Sequence, residues 1–250
     1  MLEFEEYGDG IGAAWTVLRE HANRSGPQAP VPTCPGWTVR DLVAHQGTVH
    51  RWAAATIRGI SLDTAAVEAE GMAIRDQLDW LDLGARDLLQ ALVDAPVDLA
   101  GTFFLHDAPP PRLAWARRQC HETTIHAVDA MSATAGAPVP AAMTWLSPRL
   151  ASDGVDELLT GFLPRPRVKL RMPSETTVLV ETTDTGDAWT LTLGEEPAVV
   201  DRGATKARDA TLRGTAASVY LALWNRGDEV ETAGVDLLAS WRDQFKVVWS

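Results

Sequence analysis

The spacing of apolar residues along this chain changes once, and that change constrains the fold more than any other feature. Up to about residue 158 apolar side chains recur at helical intervals; beyond Leu163-Pro-Arg-Pro166 they alternate in the two-residue period of strands. Ile11, Ala14, Trp15, Leu18 and Ala22 form a stripe for a helix from about Gly10 to Asn23, closed by Ser25-Gly26. After a Pro-rich connector, Thr38 reads as an N-cap with Asp41 at the third helical position, opening a helix to about Arg58. Asp63–Asp94 holds one or two helices, residues 97–112 a loop, Leu113–Ala133 a further helix and Ala141–Leu158 another. Past the proline pair, residues 176–183 and 188–193 are β-branched and alternating, joined by Asp184-Thr-Gly-Asp187, which signals a hairpin. Short strands at 198–200 and 209–212, a helix capped by Thr215 and running to Trp224, and a terminal helix over Val235–Val247 complete the reading. The expectation is an all-α bundle over residues 1–163 and a small α+β domain over 164–250.

Charge and composition narrow the function classes. With 22 Lys and Arg against 34 Asp and Glu the net charge is −12, which argues against a nucleic-acid partner held through phosphates. A local cationic cavity for a small anion remains compatible with that balance. No apolar run reaches the roughly 18 residues of a membrane span, and the acidic opening lacks the regions of a signal peptide, so no membrane partner and a cytoplasmic location are expected. Two cysteines, Cys34 and Cys120, are too few for a disulfide framework; Cys34 reads as a structural thiol or, near a helix start, as one of lowered pKa. Ten tryptophans serve packing or line a ligand cavity. The Gly8-Asp-Gly-Ile-Gly12 run has neither the preceding strand nor the spacing of a dinucleotide fingerprint and reads as a flexible lead-in.

Chemistry concentrates on two predicted helices. Glu122 and His126 are four residues apart and share a face, and His45 sits within Leu42-Val-Ala-His on another helix. Together they would make a three-residue site for a divalent metal with open positions. His50 and His121, five residues from His45 and His126, fall about 140° around their helices and off that face. The plainer alternatives are an exposed i,i+4 pair for Glu122 and His126, and a satisfied core histidine for His45. Arg118, one turn before Glu122, fits either an anion-binding role or a salt bridge that orients Glu122.

Two segments, Cys34-Pro-Gly-Trp-Thr-Val-Arg-Asp-Leu-Val-Ala-His45 and His121-Glu-Thr-Thr-Ile-His-Ala-Val-Asp129, resemble the paired signatures of the mycothiol-dependent maleylpyruvate isomerase family, within the wider DinB-like group of thiol-dependent metalloenzymes. Thr211–Arg226 resembles the family's second, sterol-carrier-like domain, so the likeness spans nearly the whole chain. The resemblance implies a DinB-like four-helix bundle followed by a sterol-carrier-like α+β domain, with zinc on His45, Glu122 and His126. It also implies a site arginine after the helix of the second domain, matched by Arg226. Around His126 the chain reads His-Ala-Val-Asp where many relatives have His-Arg-Trp-Asp, which keeps the ligand and changes its neighbours.

The function implied is activation of a low-molecular-weight thiol, mycothiol, by a divalent metal that deprotonates it. Addition of the thiolate to maleylpyruvate, bond rotation and loss of the thiol would give fumarylpyruvate; attack on a small electrophile would instead be S-transfer. The expected partners are thus the thiol and a small unsaturated acid or electrophile, with Arg226 and Arg118 as cations for an anionic substrate. The competing reading is a non-catalytic small-ligand-binding protein with a structural or vestigial metal site.

Overall fold

A computed structural model describes residues 1–101 and 103–245, in two compact units. The first unit comprises residues 2–101 and 109–139; the second comprises residue 1, residues 103–108 and residues 140–245.

Five helices make the first unit: α1 (Phe4–Ser25), α2 (Val39–Ile57), α3 (Thr64–Ala73), α4 (Gln77–Asp94) and α5 (Pro111–Ala135). The four longer ones form a bundle in which α1 packs mainly on α5, and α2 on both α4 and α5. Helix α1 starts six residues before the expected Gly10, so Gly8-Asp-Gly-Ile-Gly12 is helix and not a flexible lead-in. A reciprocal cap between Glu3 and Glu6 opens it. Gly10 is there for proximity, since a Cβ at that position would run into Cys120 Sγ of α5. Thr38 caps α2 as its sequence predicts: the backbone N–H of Thr38 donates to Asp41 Oδ2 at 2.7 Å. Between α2 and α4 the Trp80 indole fills the space left by Gly47 and Gly71, with the Arg51 guanidinium 3.7 Å from the ring centroid.

Helix α5 departs from an amphipathic pattern. Its buried residues include Arg117, Arg118, Gln119, His121, Glu122, Thr123, Thr124, His126, Asp129 and Ser132. Burying that many polar groups is costly unless they satisfy one another or a ligand. The bundle has therefore been built around a polar helix.

The second unit carries α6 (Pro148–Asp156), continued as one π-helical stretch to Phe162, then β1 (Thr176–Thr182), β2 (Ala188–Leu193), β3 (Val199–Arg202), β4 (Ala210–Gly214), α7 (Ala216–Leu223), β5 (Glu231–Gly234) and α8 (Leu237–Gln244). The expected helix over Ala141–Leu158 is instead a single 3-10 turn at Ala141–Met143 followed by α6, which starts at Pro148 with Ser147 as its cap. The sheet order is β3-β2-β1-β4-β5, with β1 and β4 parallel and every other neighbour antiparallel. The hairpin of β1 and β2 lies where alternation placed it, as do β3, β4 and α7 within a residue or two. Strand β5 went unpredicted: Glu-Thr-Ala-Gly has no apolar alternation, and all of its residues are exposed on the sheet edge. Gly234, at φ +81°, lies so close to the Asp209 carbonyl that any Cβ would overlap it. Asp156 gathers the Trp189 indole N–H at 3.0 Å and two Arg202 nitrogens, while a third Arg202 nitrogen donates to Asp107 at 2.8 Å. Residues 246 and 247 of the predicted terminal helix lie outside the described residues. Among the described residues no helix is long and apolar enough to cross a membrane.

Candidate metal centre

The first unit brings His45, Glu122 and His126 together. His45 is the seventh residue of α2, whose register is set by the Thr38–Asp41 cap. Glu122 and His126 are one turn apart on α5. Glu122 Oε1 lies 3.3 Å from His126 Nε2 and 3.6 Å from His45 Nε2, and the three ligand atoms fall within 4.8 Å of one another. Donors about 2.0–2.1 Å from a tetrahedral zinc would be roughly 3.3–3.4 Å apart, so the spacing fits a divalent ion. Glu122 is 2% exposed, and its Oε1 has no hydrogen-bond partner among the described residues. A buried carboxylate oxygen that accepts no hydrogen bond yet faces two imidazole nitrogens is what a metal ligand looks like without its ion. The imidazoles keep a path to solvent, the His45 side chain being 18% exposed.

The second oxygen of Glu122 accepts from Arg118 Nη2 at 3.1 Å, and Arg118 is completely buried. Of the two sequence readings of Arg118, the geometry realises the one that orients Glu122. Burial works against the Glu122 carboxylate, but the His126 and His45 rings and the Arg118 charge outweigh it and hold the group well below the usual range. Burial likewise opposes a charged His126, yet Asp129 and Glu122 raise its pKa to about 9.

That shift has two consequences for the metal-free protein. A folded-state pKa raised above the ordinary 6.5 contributes stability that is complete below about pH 6.5 and fades as pH rises through about 9. A metal takes only the neutral imidazole, so it must displace a proton. Apparent metal affinity is therefore expected to rise about tenfold per pH unit from neutrality up to about 9, with about one proton released per ion. Titration calorimetry in buffers of different ionisation enthalpy reads that proton directly.

The other histidines are elsewhere, as helical geometry predicts. His50 is fully buried, its Nε2 within 2.8 Å of Gln46 Nε2 and 3.0 Å of Thr123 Oγ1. Burial and the neighbouring Arg51 lower its pKa to about 3, so it stays neutral in the core. His121 meets the Tyr7 ring edge-on, with centroids 6.3 Å apart. Cys120 is buried against α1, and Cys34 is half-buried with its thiol donating to Asp129 Oδ2 at 3.2 Å; neither takes part in a disulfide. Arg226 follows α7 in the second unit, where its Nη1 donates to the Trp224 carbonyl at 2.9 Å. Ala127 and Val128, which follow His126, are both fully buried.

Two residues of the centre escape a reading by ligand spacing. The Trp37 indole lies against both imidazoles, with centroids 5.0 Å from His45 and 6.1 Å from His126, the latter stacked at 19°. It arrives there on a turn closed by the Val31 and Trp37 backbones and by Gly36 at φ +88°. Asp129 accepts from His126 Nδ1 at 2.9 Å. Its signal in the sequence is a carboxylate three residues beyond a histidine on a buried helix.

The chain is a four-helix bundle in which two imidazoles and a carboxylate converge from adjoining helices at the spacing of metal ligands, followed along the chain by a small mixed sheet. Residues 10–131 match the model of the mycothiol maleylpyruvate isomerase N-terminal domain, and residues 149–241 match that of the MDMPI C-terminal domain. The chain belongs to the mycothiol maleylpyruvate isomerase family. Among solved structures it is similar to the mycothiol-dependent maleylpyruvate isomerase at a TM-score of 0.62 and 13% identity, over 93% of both chains. A histidine-to-alanine variant of that isomerase gives 0.64 and 12% identity over the same shares. At such identities these likenesses speak for the fold. No curated protein sequence matches the chain.

Proposed function

We propose that this protein is a zinc-dependent enzyme of the cytoplasm that uses mycothiol to isomerise maleylpyruvate or a closely related unsaturated keto acid. The observation that carries the reading is the convergence of three ligand atoms, with Glu122 Oε1 buried between His45 Nε2 and His126 Nε2 at 3.6 and 3.3 Å and accepting no hydrogen bond. The family, whose solved isomerase is described as mycothiol-dependent, supplies the thiol and the substrate class. Zinc bound at His45, Glu122 and His126 would keep a net charge near +1 and lower the pKa of a thiol enough to ionise it at neutral pH.

The chain's own residues do the rest. Arg118 holds Glu122 Oε2, leaving Oε1 for the ion. Trp37 covers one side of the imidazoles with an apolar face and limits water there. The thiolate adds to the cis double bond, rotation follows about the new single bond, and expulsion of the same thiolate returns the trans isomer with no net change of atoms.

The test is conversion of maleylpyruvate followed by ultraviolet absorbance, with zinc and mycothiol each supplied or withheld. Turnover only when both are present, and its loss in His126→Ala, is the expected result. Turnover without thiol would overturn the proposal. So would inertness of the zinc-loaded protein toward maleylpyruvate with the thiol present, and an S-conjugate formed instead with a small electrophile would move the reading to S-transfer.

A further inference from the structure

Asp129 stands out among the buried groups of α5 because its two oxygens serve two stretches of chain at once. It is completely buried. Oδ1 accepts from the Thr33 hydroxyl at 2.5 Å, and Oδ2 accepts from the Cys34 thiol at 3.2 Å and from His126 Nδ1 at 2.9 Å. An ionised carboxylate can only accept, so the Nδ1 facing it must carry the hydrogen. A neutral imidazole has one N–H; with that hydrogen on Nδ1, the lone pair sits on Nε2, the atom that lies 3.3 Å from Glu122 Oε1. The Thr33 and Cys34 donors come from the Val31–Trp37 turn, outside α5, and hold the carboxylate in place.

We propose that Asp129 is a positioning residue for the metal centre, fixing His126 as the Nδ1–H tautomer so that Nε2 faces the ion. The inference rests on the metal reading above. Asp129 meets His126 at Nδ1, the ring nitrogen away from the Nε2 that faces Glu122, so it acts on the centre through the His126 ring. Carboxylate–imidazole–metal arrangements of this kind orient the ring and raise its basicity, and losing the outer carboxylate typically weakens metal binding 10–100-fold.

The experiment compares wild type, Asp129→Asn and Thr33→Val by zinc affinity in chelator competition and by the visible absorption of the cobalt-loaded proteins. Asp129→Asn is expected to weaken zinc about 10–100-fold and to alter the cobalt spectrum. Thr33→Val, which removes an Asp129 bond without touching His126, is expected to stay within about threefold of wild type. An Asp129→Asn protein that binds zinc as wild type does, with an unchanged cobalt spectrum, would overturn the inference. An equal loss in Thr33→Val would also overturn it, by showing that loosening of the turn accounts for the effect. Ring-nitrogen NMR of the zinc-loaded wild type serves if Asp129→Asn does not fold: a proton on His126 Nδ1 and zinc on Nε2 are expected, and the reverse contradicts the inference. Wild type that takes up neither zinc nor cobalt would sink the metal reading itself, an outcome distinct from any of these.

Discussion

Replacing Glu122 by alanine is expected to abolish metal binding and to destabilise the bundle together. The first effect follows from the geometry, since Oε1 is the atom between the two imidazoles. Loss of a ligand should exceed the 10–100-fold typical of losing an outer partner of one. The second follows from Arg118, a guanidinium with no exposed surface whose Nη2 donates to Glu122 Oε2. Stripping the carboxylate from a buried ion pair costs about 3–5 kcal/mol, because the remaining charge keeps its desolvation penalty. Glu122→Gln separates the two effects. It keeps the shape and an acceptor for Arg118, so it should lose metal while giving back part of the stability. Denaturant unfolding of the metal-free variants, set beside chelator competition, reads both quantities. A Glu122→Ala protein as stable as wild type would show that Arg118 is satisfied without this carboxylate.

Trp80→Ala is the other substitution expected to act strongly, and it lies away from the ligands. The indole is 3% exposed, donates from Nε1 to Glu70 at 3.1 Å, and occupies the hollow left by Gly47 of α2 and Gly71 of α3. Arg51 sits over the ring and donates from Nη2 to the Trp80 carbonyl at 2.6 Å. Truncation leaves a cavity bordered by two glycines that have no side chain to fill it, at a cost of about 3–5 kcal/mol. The converse change, Gly47→Ala, meets the ring itself and should cost about 1–3 kcal/mol by overpacking. Both are read as falls in the thermal midpoint. Because Gly47 is two residues beyond His45 on α2, added zinc should restore part of the loss by binding the folded state alone.

What the sequence discloses and what it hides follow from how local each feature is. The Glu122–His126 pair is a matter of i,i+4 spacing, and the Thr38–Asp41 cap of i,i+3, so both are legible. His45 joins them only through the packing of α2 on α5, and there the family resemblance supplied what spacing could not. The Trp80 hollow was invisible because three elements make it; Gly47 and Gly71 carry no sign of the ring they accommodate. Gly8–Gly12 misled for the same reason, since the need for a small residue at position 10 comes from Cys120, over a hundred residues away. Strand β5 has no hydrophobic face to announce it and exists by pairing with β4. Asp129 reads locally as one more helix carboxylate; its meaning depends on Thr33 and Cys34 reaching it from the preceding turn.

In the function proposed here, His45, Glu122 and His126 hold a metal whose open position takes a thiol. The most direct measurement is the near-ultraviolet absorption of the cobalt-loaded protein as mycothiol is added. A saturable sulfur-to-cobalt charge-transfer band in wild type, absent from His45→Ala and Glu122→Gln, is expected. Cobalt bound by wild type with no such band at saturating thiol, or a band that survives loss of these ligands, would contradict it.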